Sequence, residues 1–178
     1  DLITGLEINE GNGVYKSTDA GATWQHMGLD ESKQIPSMLV DPRDPNVVLV
    51  AAQGDVHKKT DVRGVFRSAD GGRTWTKTLY VDDETGIQKL ARANDVPNVI
   101  FATTVHHYVA RGAAPRRFFD PDTGQVWTKI FKSSDGGLTW TEIVGHGLPR
   151  LTGRTSIAVA MNTNAQRVYF ITNTGLYR

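Results

Sequence analysis

The sequence predicts an all-β fold of repeated four-stranded antiparallel sheets, on three observations. The octapeptide pattern Ser-x-Asp-x-Gly-x-Thr-Trp occurs three times, beginning at Ser17, Ser68 and Ser133. A second pattern, Pro-Asn followed by four apolar residues, lies between the octapeptides and begins at Pro45 and Pro97. The segments around these patterns are short apolar runs bounded by turn residues, which is typical of strands. Self-similarity of this kind indicates stacked supersecondary units.

Each repeat unit is predicted to contain four strands, A to D, with the octapeptide forming the C–D turn. The octapeptides start 51 and 65 residues apart, and the longer interval places an insertion between residues 106 and 126. Residues 87–93 also fit a helical turn, but a strand is favoured. The predicted strands are 2–5, 14–17 and 23–27; 36–41, 47–53, 64–68 and 74–81; 87–93, 98–105, 126–133 and 139–144; 155–161, 167–172 and a strand from 175.

The inner strands are continuous apolar runs, such as the six residues that begin at Val47, and not alternations of polar and apolar residues. Such runs predict strands covered on both faces. Four-stranded sheets stacked face to face are the blades of a β-propeller, so the chain is predicted to be a propeller fragment. The predicted division is a partial blade at 1–30, a full blade at 31–81, a full blade with a long B–C loop at 82–145, and a partial blade at 146–178.

Composition excludes several classes of function. The chain has 178 residues, 20 basic against 19 acidic side chains and no cysteine. The charge balance predicts no nucleic-acid partner, and no apolar run is long enough for a membrane span. We expect no metal and no cofactor. Because the final residues 175–178 repeat the residues that precede the first two octapeptides, we expect the chain to stop inside a repeat, with further blades of the same chain or further copies as partners.

The octapeptides are predicted to be structural. Asp is suited to accept hydrogen bonds from turn amides, Gly permits a positive φ, Ser closes side-chain bonds to the backbone, and Trp is expected to bury its ring between blades. One carboxylate per blade cannot converge on a single substrate. The predicted structural residues are Ser17, Asp19, Gly21, Trp24, Ser68, Asp70, Gly72, Trp75, Ser133, Asp135, Gly137 and Trp140.

The octapeptide resembles the Asp-box, or bacterial neuraminidase repeat, of sialidases, xyloglucan-cleaving glucanases, the photosystem assembly factor and sortilin-type receptors. The wider pattern at residues 40–48, 63–68, 79–86 and 145–155 is similar to large bacterial sortilin-like proteins, often labelled glycosyl hydrolases. This resemblance implies a β-propeller with Asp-box hairpins and an extracellular or periplasmic location. It does not imply one activity, and the Phe/Tyr-Arg-Ile-Pro signature of sialidases is absent.

Propeller topology predicts where a ligand binds. The A–B and C–D turns lie on one face, and the B–C and D–A loops lie on the other, where we expect the ligand. The candidate ligand residues are Glu7, Glu10, Gln53, Asp55, His57, Glu84, His106, His107 and Arg154. The favoured interpretation is a secreted sortilin-like module that binds a glycan or peptide or acts as a scaffold. The alternative is a propeller glycoside hydrolase or lyase acting on polysaccharide, with its carboxylates partly outside this chain.

Overall fold

The computed structural model describes residues 11–56, 58–106, 128–145, 147–148, 155–172 and 175–177. These residues are almost entirely strands and turns, with one 3₁₀ turn at Asp30–Ser32. The strands are β1 (Tyr15–Lys16), β2 (Gln25–His26), β3 (Ser37–Val40), β4 (Val48–Ala52), β5 (Gly64–Ser68), β6 (Thr76–Leu79), β7 (Thr85–Arg92), β8 (Ile100–His106), β9 (Ile130–Ser133), β10 (Thr141–Glu142), β11 (Ser156–Val159), β12 (Val168–Thr172) and β13 (Gly175–Tyr177).

The strands form antiparallel sheets in which neighbours in sequence are neighbours in space. Strands β3 to β6 form one four-stranded sheet and β7 to β10 form another. The described residues of the first sheet form the pair β1–β2, and those of the last form β11–β12–β13. This arrangement confirms the predicted all-β fold with four-stranded antiparallel blades. Among the described residues, no helix is long and apolar enough to cross a membrane.

The core lies between the sheets, and alternate residues of each inner strand face opposite neighbours. On β4, Leu49 packs against the sheet of β7 to β10, while Val50 packs against Val14 of the first sheet. On β8, Ile100 and Phe101 likewise join different clusters. Burial on both faces is why these strands are continuously apolar, and each fully buried aliphatic side chain contributes about 1.5–3 kcal/mol.

Strand β7 resolves the ambiguity at residues 87–93 in favour of a strand. Its pairing with β8 shifts between Ile87 and Lys89, so Gln88 is an extra residue in the ladder. This β-bulge places Ile87 and Leu90 in the same buried cluster. Apolar residues three positions apart on one face are typical of a helix, and here the bulge produces the same spacing in a strand.

Several predicted boundaries are wrong in detail. The outer strands β6 and β10 are shorter than the predicted 74–81 and 139–144. They begin later because the amides of Thr74 and Thr139 donate to the box Asp and not to a neighbouring strand. Strand β9 begins at Ile130, not at residue 126. His106, predicted in a loop, is the last residue of β8. The predicted strand at residues 2–5 lies outside the described residues.

The three octapeptides, called box loops from here on, have one shared hydrogen-bond pattern. The Ser hydroxyl donates to the Asp carboxylate at 2.7–2.8 Å and accepts the Gly amide at 2.8 Å. The Thr amide donates to the same carboxylate at 2.9 Å, and the Thr hydroxyl donates at 2.5–2.6 Å. Both carboxylate oxygens of each Asp in the box loops therefore accept hydrogen bonds within the loop.

The tryptophans of the box loops do not share one environment. The Trp75 indole donates to the Met27 carbonyl at 2.7 Å, and the Trp140 indole donates to the Thr78 hydroxyl at 3.2 Å, so each joins its sheet to the preceding one. Both rings are half-buried. Trp24, predicted to be buried between blades, is 63% exposed. Its indole donates within its own loop, to the Gly21 carbonyl at 3.1 Å, and not to a neighbouring sheet.

Replacing the box Ser is expected to separate buried from exposed loops. Ser68 and Ser133 are buried, as are Gly72 and Gly137, whose amides they accept. Ser68→Ala or Ser133→Ala leaves such an amide without its partner and should cost about 1–3 kcal/mol. Ser17→Ala removes the same bond where Gly21 is exposed, and should cost less. Urea unfolding of the three variants measures the difference, and equal losses would contradict this explanation.

The box loops also predict acid sensitivity. Hydrogen bonds from the Thr139 hydroxyl and amide, and from Ser133, lower the pKa of Asp135 from 3.8 to about 2. A carboxylate whose folded-state pKa is lowered stabilises the fold above its unfolded pKa, and this contribution is lost as pH falls towards the folded value. Stability should therefore fall between about pH 4 and pH 2. Asp135→Asn should flatten that dependence in pH-dependent melting curves, and an unchanged slope would contradict the prediction.

Candidate functional site

The two faces of the stacked sheets carry different connections. On the box face, the amides of Gly71 and Gly136 donate to the carbonyls of Asn46 and Asn98, which joins each C–D turn to the A–B turn of its own sheet. On the opposite face, the loop from β4 to β5 meets the loop from β6 to β7, where the Thr60 amide donates to the Asp83 carbonyl at 3.0 Å. We call this second surface the loop face, comprising residues 53–56, 58–63, 82–88 and 106.

Glu84 is the central carboxylate of the loop face. One oxygen lies 2.8 Å from His106 Nε2, and the other lies 2.6 Å from Lys59 Nζ. His106 reaches Glu84 from the end of β8, while Lys59 reaches it from the β4–β5 loop. The structure therefore brings the predicted residues Glu84 and His106 together.

The chemistry of Glu84 follows from these contacts. Burial alone would raise the pKa of Glu84, but hydrogen bonds and charge from Lys59 and His106 outweigh burial and hold the pKa below its ordinary value. A carboxylate with a lowered pKa is ionised at neutral pH and is a poor proton donor. Glu84 is suited to accept hydrogen bonds from a ligand or to orient His106.

Gln53 lies beside this cluster at the end of β4 and is buried, at 7% exposure. Its Nε2 donates to Gln88 Oε1 at 2.7 Å. The backbones of Gln53 and Gly86 lie close together, since a Cβ on Gly86 would lie 2.5 Å from Gln53 Cα. Only glycine therefore allows β7 to approach the end of β4 this closely. The bulge at Gln88 turns that side chain towards Gln53, as bulges beside sites commonly do.

Gln88, Lys59 and Arg63 also belong to the loop face, although none of them is among the candidates predicted from the sequence. Lys59 belongs to a Lys-Lys pair, a pattern typical of solvated loops, and Gln88 has no motif. Arg63 is fully buried. Its guanidinium donates to backbone carbonyls of both loops.

The remaining candidates have varied outcomes. The side chain of Asp55 is 15% exposed, and its Oδ2 lies 3.7 Å from Lys58 Nζ. The backbone carbonyl of Asp55 accepts a hydrogen bond from Arg63. Outside the described residues lie Glu7, Glu10, His57, His107 and Arg154. Within the described ranges, no group of three or more His, Asp or Glu residues could hold a metal ion.

Comparison with known proteins relates the chain to xyloglucanases. No family model matches. Over 145 residues, 74% of this chain, the sequence is 29% identical to a xyloglucanase from a Paenibacillus species and 23% identical to one from Hypocrea jecorina. The chain spans only 13% and 16% of the length of these two relatives.

Solved structures show the same fold. An ancestral GH74 enzyme superposes with a TM-score of 0.64 at 22% identity, covering 96% of this chain and 21% of that chain. YCF48 from Cyanidioschyzon merolae superposes with a TM-score of 0.53 at 18% identity, covering 88% of this chain and 39% of that chain. Both are β-propellers, which supports the propeller architecture.

Proposed function

We propose that this chain is part of a propeller glycoside hydrolase that acts on a xyloglucan-type polysaccharide, and that its loop face binds the sugar chain. The observation that carries the proposal is the 29% identity to a xyloglucanase across 74% of the chain. The sequence-based preference for a sortilin-like scaffold has weaker support, since none of the relatives named above is a sortilin-type protein. The alternative given with it, a glycoside hydrolase, is preferred here.

The loop face has the chemistry of a sugar-binding surface. Polysaccharides present many hydroxyl groups, which both donate and accept hydrogen bonds. The ionised carboxylate of Glu84 accepts hydrogen bonds, and the imidazole of His106 and the amide of Gln88 can form them as well. The buried amide of Gln53 holds the Gln88 side chain in place. Rigid polar groups bind a ligand at a low entropic cost.

Hydrolysis of a glycosidic bond also requires a proton donor and a second carboxylate. The lowered pKa of Glu84 makes it unsuitable as the donor. We therefore assign Glu84 to binding and place the proton donor in other parts of the protein. With this function we also propose an extracellular or periplasmic location, and we assign the three box loops to the Asp-box class on their shared hydrogen-bond pattern.

The test is hydrolysis of xyloglucan by the longest natural form of the protein, measured as reducing-end release and compared with an unsubstituted β-glucan. We expect release from xyloglucan. Binding of xyloglucan oligosaccharides without bond cleavage would favour the sortilin-like module instead. Neither cleavage nor binding would contradict both functions.

Glu84→Gln is expected to raise KM for xyloglucan about tenfold, equivalent to 1.4 kcal/mol of binding, with little change in kcat. The reason is that Gln removes the charge and one of the two acceptor oxygens. Glu142→Gln is the matched control, because Glu142 also pairs with a lysine, Lys129 at 3.1 Å, but lies on the outer strand β10. Equal effects of the two changes would contradict the assignment of Glu84.

A further inference from the structure

We propose that Arg63 is a positioning residue, which holds the two loops of the loop face in register so that Lys59, Glu84 and His106 meet. The proposal extends the function above by naming the group that sets the geometry of the site. Arg63 itself does not reach the loop surface, since it is 0% exposed. It acts by holding the backbone of the two loops.

The guanidinium binds four carbonyls from two loops. Nε donates to the Asp83 carbonyl at 3.0 Å, and Nη1 donates to the Gln53 carbonyl. Nη2 donates to the carbonyls of Asp55 at 2.6 Å and Lys58 at 3.0 Å. These bonds use four of the five N–H groups that an arginine offers. A lysine ammonium has three donors at one point and cannot span such a set.

Two of these carbonyls immediately precede the members of one ion pair. The Lys58 carbonyl belongs to the peptide that leads into Lys59, and the Asp83 carbonyl belongs to the peptide that leads into Glu84. Lys59 and Glu84 meet at 2.6 Å. One guanidinium therefore fixes the backbone on both sides of the Lys59–Glu84 contact, and Glu84 in turn contacts His106 at 2.8 Å.

The surroundings explain why a buried cation is tolerated here. Burial lowers the pKa of Arg63, and the negative charges of Asp55, Asp82, Asp83 and Glu84 oppose that change. An arginine side chain remains protonated in proteins. Asp82 adds a second restraint, because its carboxylate accepts the amides of Glu84 at 2.9 Å and Thr85 at 2.6 Å.

The first experiment is hydrogen exchange on the longest natural form of the protein, without substrate. Arg63→Lys should accelerate exchange about tenfold in residues 54–56, 58–62 and 82–86 and leave the box face unchanged, because only the bonds of the guanidinium to the carbonyls of the two loops are lost. Arg67→Lys is the matched control. Arg67 lies four residues after Arg63, on β5, but its Nε donates to the Gly136 carbonyl of a box loop at 3.2 Å, so Arg67→Lys should leave both loops protected.

The second experiment is chemical rescue of Arg63→Ala. Ethylguanidinium at millimolar concentration should restore slow exchange in both loops and return KM for xyloglucan towards the wild-type value, whereas ethylammonium should not. A variant that is insoluble alone should fold when ethylguanidinium is present. Rescue of folding and loop protection would support the proposal.

The proposal is overturned if Arg63→Lys leaves the loops as protected as in the wild type, if exchange rises equally across all sheets, or if ethylguanidinium rescues nothing. Unchanged protection would mean that Arg63 does not position the loops. An equal rise across all sheets would mean that Arg63 contributes only to the stability of the whole fold. Because exchange is read without substrate, a protein that fails to cleave xyloglucan contradicts the proposed function without affecting this test.

Discussion

Gly137→Ala is expected to destabilise the fold by about 2–5 kcal/mol, from left-handed strain and core overpacking together. Gly137 lies in the third box loop with φ +85°, and a Cβ there would meet Leu49 Cδ2 at 2.2 Å. Leu49 is fully buried, so it has little room to move aside. Since whole domains are stable by about 5–15 kcal/mol, such a loss can unfold this one.

Gly21→Ala is the matched control for this prediction. Gly21 occupies the same position of the first box loop with φ +92°, but a Cβ there would meet only Trp24 at 3.7 Å, an ordinary contact. It should cost only the backbone strain, about 1–2 kcal/mol. Urea unfolding of both variants measures the difference, and equal losses would show that contact with Leu49 contributes nothing.

The contrast between the two glycines shows what the repeat could and could not predict. The sequence identified all three box loops and their order among the strands, because the hydrogen bonds that close each loop are local. It did not predict that Trp24 is exposed while Trp75 and Trp140 bridge sheets. The environment of a repeated residue depends on the neighbouring repeat, which a pattern within one repeat does not encode.

Bulges account for a second set of differences. The extra residues Gln88 in β7 and Thr78 in β6 interrupt the alternation of side chains. Each bulged side chain then makes a contact outside its own strand pair, Gln88 with Gln53 and Thr78 with Trp140. A bulge is set by the partner strand as well as by the bulged one, so the apolar spacing of a single strand did not reveal it.

The candidate site was predictable as a face but not as a set of contacts. Strand order alone placed Gln53, Glu84 and the end of β8 on the side opposite the box loops. The Glu84–His106 contact and the clamp by Arg63 depend on the paths of two loops, which no periodicity describes. Arg63 stands directly before the Gly-Val-Phe that begins strand C, where the first repeat unit has Asn12, so the repeat pattern did not mark it.

Combining Gly137→Ala with Leu49→Ala is expected to cost less than the two changes separately. Leu49→Ala alone should cost about 2–5 kcal/mol, because it removes buried methyl groups and leaves a cavity in the core between β4 and the sheet of β7 to β10. The Cβ introduced by Gly137→Ala would enter the space that Leu49 Cδ2 vacates. The coupling should therefore be favourable by about 1–3 kcal/mol, as for residues that share a cavity.

The measurement is a double-mutant cycle in which urea unfolding is monitored by tryptophan fluorescence. Trp140 packs against the same cluster as Leu49, so its fluorescence reports on this junction between sheets. Strain at φ +85° remains in the double variant, which should still be less stable than the wild type. Strictly additive losses would mean that Leu49 moves away freely from the methyl group introduced by Gly137→Ala, and the junction between a box loop and the preceding sheet would then be loosely packed.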